Sequence, residues 1–89
     1  MLFRSNQYVK SLLDYDEPRK SHLADTVKEY FANNKDISAT SSAFFIHKNT
    51  LYQRLGNIEE LLHCDMSSSD DCFYILLAFK VYDAIAFLD

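Results

Sequence analysis

Apolar residues recur at helical spacing through most of this chain, and the polar residues between them gather on the opposite faces. The clearest stripe is Leu51, Leu55, Ile58 and Leu62, at i, i+4, i+7 and i+11. At about 100° per residue, Asn49, Gln53 and Gly56 project away from it. Lys48 and Tyr52 lie on one flank, with Thr50, Arg54 and Asn57 on the other. This predicts a helix entered at Ile46, with His47 in its cap region, that ends near Leu62. Upstream, Leu23, Val27, Tyr30 and Phe31 predict a helix over about Ser21 to Ala32, closed by Asn33-Asn34 because Asn tolerates the left-handed conformation. Before it, Val9, Leu12 and Leu13 give the buried edge of a helix from about Asn6 to Tyr15. Ser5 is its expected N-cap and Pro18 its breaker.

A shorter segment lies between these two strong patterns. Ser38 stands as an N-cap for a helix from Ala39 to Phe44 or Phe45, with Ile37, Ser41 and Phe44 on its inner edge. A short helix, a tight turn and a longer amphipathic helix make a helix-turn-helix, here over about residues 37–62. Phe45 sits where many such turns have glycine, so this turn must close differently. Gly56, in the middle of the longer helix, costs roughly 1 kcal/mol relative to Ala.

Ser67-Ser68-Ser69-Asp70-Asp71 is a helix start, with capping-box spacing from Ser68 to Asp71 and both acids at the positive end of the helix dipole. The fifth helix, about Asp70 to Phe87, is long and apolar nearly all round. Phe73, Leu76, Leu77, Val81, Ala84 and Leu88 are expected on one side and Tyr74, Ala78, Tyr82 and Ile85 on another. Lys80 and Asp83 mark a narrow polar edge. In so small a chain such a helix serves the core and a subunit interface together. Phe73, Tyr74, Leu77, Val81, Tyr82 and Ile85 are the expected contacts of a homodimer.

Composition bounds this picture without redrawing it. The 89 residues suit one all-α domain of about five helices, and one Gly and one Pro leave only short connections. Net charge is −4, which by itself argues against nucleic acid. The distribution is more informative than the sum. Residues 37–58 contain Lys48 and Arg54 and no acid, whereas 59–89 hold seven acids against Lys80 alone. Cys64 and Cys72 match no usual zinc spacing and read as reduced cytoplasmic thiols, so neither a metal nor another cofactor is expected. The apolar run Cys72–Phe79 is too short to span a bilayer, so no membrane association is expected.

With these elements placed, the chain resembles the C-terminal helix-turn-helix domain of PucR-type transcriptional regulators, which include purine-catabolism and sugar-diacid regulators. The match runs from Leu23 to about Leu77. It rests on Leu23-Ala-Asp-Thr-Val-Lys-Glu-Tyr-Phe, on Ser38-Ala-Thr, on Phe45-Ile-His-Lys-Asn-Thr-Leu with Arg54-Leu55, and on Ile58-Glu-Glu-Leu61. The His-Lys-Asn-Thr-Leu core at 47–51 with Arg54-Leu55 after it is its most specific part. The resemblance implies sequence-specific binding of double-stranded DNA by the output domain of a longer regulator with an upstream sensing region.

In a helix-turn-helix the N-terminal part of the second helix enters the major groove. Asn49 and Gln53 are then the expected base readers, since either amide pairs bidentately with adenine. Lys48 reaches a guanine edge or a phosphate, and Tyr52 a thymine methyl or a phosphate. His47, Thr50 and Arg54 hold the DNA backbone. Structural alternatives stand beside these roles: His47 and Thr50 as helix caps, Tyr52 packed on the second helix.

The family usually carries basic residues at the positions of Lys48, Tyr52, Gly56 and Asn57, and commonly Arg at those of Ser42 and Ala43. Only Lys48 keeps its charge here, so phosphate attraction from one copy is expected to be modest. That departure motivates a second reading, a protein–protein interaction module derived from a helix-turn-helix. Catalysis is the least supported class, because the chain offers no Gly-rich phosphate loop, paired carboxylates or supported nucleophile–base pair.

Overall fold

Leu51, Leu55, Ile58 and Leu62 are all buried along one side of α4 (Lys48–Leu62), and the rest of the fold is arranged around that stripe. The computed structural model describes residues 2–88, with side chains described for residues 7–85. Before α4 come α1 (Leu2–Arg19), α2 (Leu23–Ala32) and α3 (Ile37–Ala43); α5 (Ser69–Leu88) follows it. No strand occurs among the described residues. Val9 and Leu12 of α1, Leu23 and Val27 of α2, and Ile75 and Ala78 of α5 join the α4 stripe in one core. Burying each of the larger aliphatic side chains stabilises the fold by roughly 1.5–3 kcal/mol before entropy is counted.

The helix boundaries differ from expectation for identifiable reasons. α1 begins at Leu2, so Ser5 lies inside it; the Ser5 side chain falls outside the described ones. The helix also runs through Pro18, which sits in its last turn. There Arg19 donates from Nη1 to the Tyr15 carbonyl at 3.2 Å and lies 4.2 Å from the Tyr15 ring centroid, holding the turn closed. Leu13 is exposed rather than part of the buried edge, because the inward stripe is Tyr8, Val9 and Leu12.

α2 starts at Leu23, two residues later than expected, because its cap comes from the end of α1. Asp16 accepts the Leu23 and Ala24 backbone N–H groups, each at 2.8 Å, together with the Ser21 hydroxyl. One carboxylate therefore satisfies two orphan donors of α2 and fixes its angle to α1. α3 is capped by Asp36, whose Oδ1 accepts from the Ala39 N–H at 3.0 Å; Ser38 lies within the first turn and is not the cap.

α5 is oriented differently from the expected split. Its core face is Cys72, Ile75, Ala78 and Phe79. Phe73 and Leu76 point outward, and Tyr74, Leu77 and Val81 are half-buried. Tyr82 and Ile85 continue the spacing of Ile75 and Ala78, yet are 43% and 49% exposed. The inward stripe of α5 thus runs past the end of the core. At its start, Ser68 Oγ accepts from the Asp71 N–H at 3.3 Å, one half of a capping box; Asp71 itself turns back to the Asp65 N–H at 2.8 Å. Lys28 of α2 pairs with Asp83 of α5 at 3.2 Å, but both are about half exposed and the pair adds little. No helix among the described residues is long and apolar enough to cross a membrane.

Candidate nucleic-acid interface

The turn between α3 and α4 decides how α4 is presented. Phe45 N–H donates to the Ser42 carbonyl at 3.1 Å and Ile46 N–H to the Ser41 carbonyl at 3.0 Å. These are the paired 5→2 and 6→1 bonds of a Schellman closure, which needs a left-handed residue at its hinge. That residue is Phe45, at φ 55°. Asn34 holds the same place after α2 at φ 55°, with the same bond pair from Asn34 to Phe31 and from Lys35 to Tyr30. Asn suits the conformation; a bulky aromatic pays about 1–2 kcal/mol for it. This is how the turn closes without glycine.

His47 then caps α4, its Nδ1 accepting the Asn49 N–H at 3.0 Å, which requires that nitrogen to carry no proton. His47 thus caps the helix while its side chain stays exposed. Beyond the cap, Lys48, Asn49, Tyr52 and Gln53 are all exposed, Asn49 and Gln53 opposite Leu51 and Leu55 and Lys48 and Tyr52 on one flank. Tyr52 is 57% exposed. Thr50 is half-buried on the flank.

Arg54 has a different position. Its Nη1 donates to Thr26 Oγ1 of α2 at 3.3 Å, and its guanidinium carbon lies 5.4 Å from the ring centroid of Phe44, the C-cap residue of α3. Thr26 is fully buried and its hydroxyl donates to the His22 carbonyl at 2.7 Å. One guanidinium therefore ties α4 to α2 and to the end of α3, fixing how far the exposed face projects. Thr26 and the capping acids Asp16 and Asp36 are the positioning residues that the sequence pattern did not single out. Only Asp36, three residues before Ala39, stood at a readable N-cap spacing.

The acid-free stretch runs in sequence from Ile37 to Ile58. Glu59, the first acid after it, is half-buried and accepts the Met66 N–H at 2.8 Å. An added Cβ at Gly56 would meet nothing within 4 Å, so no neighbour requires glycine there. The thiols lie elsewhere and are poor nucleophiles. Burial first, then the nearby acids, pushes the Cys64 thiol up to about 11. Burial likewise raises Cys72, whose Sγ contacts the Met66 carbonyl at 3.1 Å. Among the described residues no group of three or more His, Cys, Asp or Glu side chains is placed to hold a metal.

Comparison with known proteins bears on this arrangement. The chain is 39% identical over 59 residues to the carbohydrate diacid regulator of Escherichia coli (strain K12), covering 66% of this chain and 15% of that protein. It is 31% identical over 80 residues to the transcriptional activator PmfR of Paenarthrobacter nicotinovorans, covering 90% and 17%. With the DNA-binding transcriptional activator AdeR of Bacillus subtilis (strain 168) it shares 26% over 76 residues, covering 85% and 18%. The chain thus spans less than a fifth of the length of the curated relatives it matches. No solved structure matches it significantly. The family model for the PucR C-terminal helix-turn-helix domain matches residues 23–81, from the first residue of α2 into α5, and the chain belongs to that family.

Proposed function

We propose that this chain acts as a single DNA-binding output domain of a transcriptional regulator, with the N-terminal half of α4 in the major groove of double-stranded DNA. One observation carries the reading: Lys48, Asn49, Tyr52 and Gln53, none of them acidic, are all exposed over the first turns of a helix whose apolar stripe is locked into the core. Asn49 and Gln53 read base edges through their amides. Lys48 supplies the phosphate or guanine contact, and Tyr52 lays its ring against a thymine methyl or donates to a phosphate. His47 and Thr50 border the phosphate backbone at the helix entry. Arg54 acts chiefly from inside, through Thr26 and Phe44, with any backbone contact secondary. The names of the relatives, a diacid regulator and transcriptional activators, support this class of output. Their greater length supports an upstream sensing region in the same polypeptide.

One module with two cationic side chains in residues 37–58 attracts phosphate weakly, so a homodimer on two half-sites is part of the reading. The six expected interface residues do not share one face. Phe73 and Tyr82 are nine positions apart, which places them about 180° apart around α5. The interface we propose is formed by Tyr82 and Ile85, flanked by Tyr74 and Val81.

The interaction-module reading is favoured by the net charge of −4 and by uncharged Tyr52, Gly56 and Asn57. Salt separates the two. An anisotropy titration with a duplex selected from a random-sequence pool is expected to show log K falling linearly with log salt, and Lys48→Ala to flatten the slope by about one unit. Failure to recover any preferred duplex, or binding indifferent to salt, overturns the DNA reading.

A further inference from the structure

Phe45 combines two features that ordinary folding does not favour. It holds the left-handed hinge at φ 55° and its side chain is 96% exposed, so the ring stabilises nothing within the described fold. The structurally equivalent hinge after α2 uses Asn34, and glycine would serve either place without strain. A strained, exposed aromatic is where a functional contact is to be sought. Its location narrows the choice of partner. It lies two residues before the cap of α4, within the stretch 37–58 that contains no acid, and three and four residues before the exposed Lys48 and Asn49. The two hydrogen bonds of the turn fix its backbone, so the ring is presented from a rigid mount.

We infer that Phe45 is a specificity-determining residue that packs its ring on the C5-methyl group of a thymine at the edge of the site read by α4. The inference rests on the DNA reading above. A thymine methyl is the one apolar feature of the major-groove code, and a side chain with no hydrogen-bonding group can select it. The wedge alternative, insertion between base steps, requires minor-groove access, which an aromatic at the entry of a major-groove helix does not have.

The test uses the whole chain and the strongest duplex selected from a random pool, together with versions in which each thymine in turn is replaced by deoxyuridine, removing only the methyl. Wild type is expected to lose about fivefold to tenfold in affinity at one such position. Phe45→Gly and Phe45→Asn are expected to lose a similar factor on the thymine duplex and to be indifferent to deoxyuridine at that position. Both should melt no lower than wild type, Phe45→Gly higher, because the hinge is relieved. Asn keeps the turn conformation closed, so its loss of affinity cannot be ascribed to a loosened backbone. If both variants bind as wild type does, or if every deoxyuridine substitution affects wild type and variants alike, the methyl contact is wrong while the DNA reading stands. If no duplex is selected at all, it is the DNA reading that fails.

Discussion

Alanine at both Asn49 and Gln53 is expected to weaken binding to a selected duplex by about a hundredfold or more, with almost no change in melting temperature. Each bidentate amide–adenine pair is worth about 1–3 kcal/mol, and every 1.4 kcal/mol is a factor of ten. Both side chains are exposed, and neither hydrogen-bonds to another side chain or to backbone among the described residues, so their loss leaves the fold intact. Arg54 is the instructive contrast. Removing it unties α4 from Thr26 and Phe44, so affinity and stability would fall together and the result would not distinguish reading from positioning. Isothermal titration with the double variant, alongside its thermal melt, checks the prediction. Unchanged affinity would mean that the exposed face of α4 does not read bases.

Glutamate at Tyr82 should convert a dimer into a monomer in sedimentation velocity and reduce affinity for a two-half-site duplex by roughly a hundredfold or more. Tyr82 and Ile85 carry the inward stripe of α5 beyond the core and remain nearly half exposed, so a charge there meets little of the chain's own interior. In a dimer the same charge would be buried against a partner without a counter-ion, at a cost of several kcal/mol. The DNA effect follows from linkage: the second half-site is bound at high effective concentration only while the two modules are joined, an advantage of about 10² to 10⁴. Affinity for a single half-site should be unchanged. A wild-type protein that sediments as a monomer at high concentration would remove the dimer from the picture, as would a Tyr82→Glu variant that stays dimeric.

Much of this architecture was legible because helix burial follows spacing. The stripe from Leu51 to Leu62 and the run Leu23, Val27, Tyr30 sit in the core as their periodicity requires. The exposed side of α4 follows from the same arithmetic. Features made by distant residues were not legible. Asp16 caps α2 from the preceding helix, and Arg54 reaches twenty-eight positions back to Thr26; neither leaves a local pattern. α5 was ambiguous for another reason. With apolar residues on nearly every side, its sequence has no periodicity to reveal which face is inward, and only the packing of α1 and α2 against it selects Ile75 and Ala78 over Phe73 and Leu76. The turn between α3 and α4 was half readable: the absence of glycine was plain, but not that Phe45 would take the left-handed hinge itself.

DNA is expected to meet the chain at the entry and first turns of α4. Backbone amide shifts of the isotope-labelled protein, followed by NMR during titration with the selected duplex, test it most directly. The expected result is that the largest changes cluster at residues 45–54, with α1 little affected. Changes concentrated instead on α5 or on the outer surface of α2, with the amides of Lys48 to Gln53 unmoved, would contradict it.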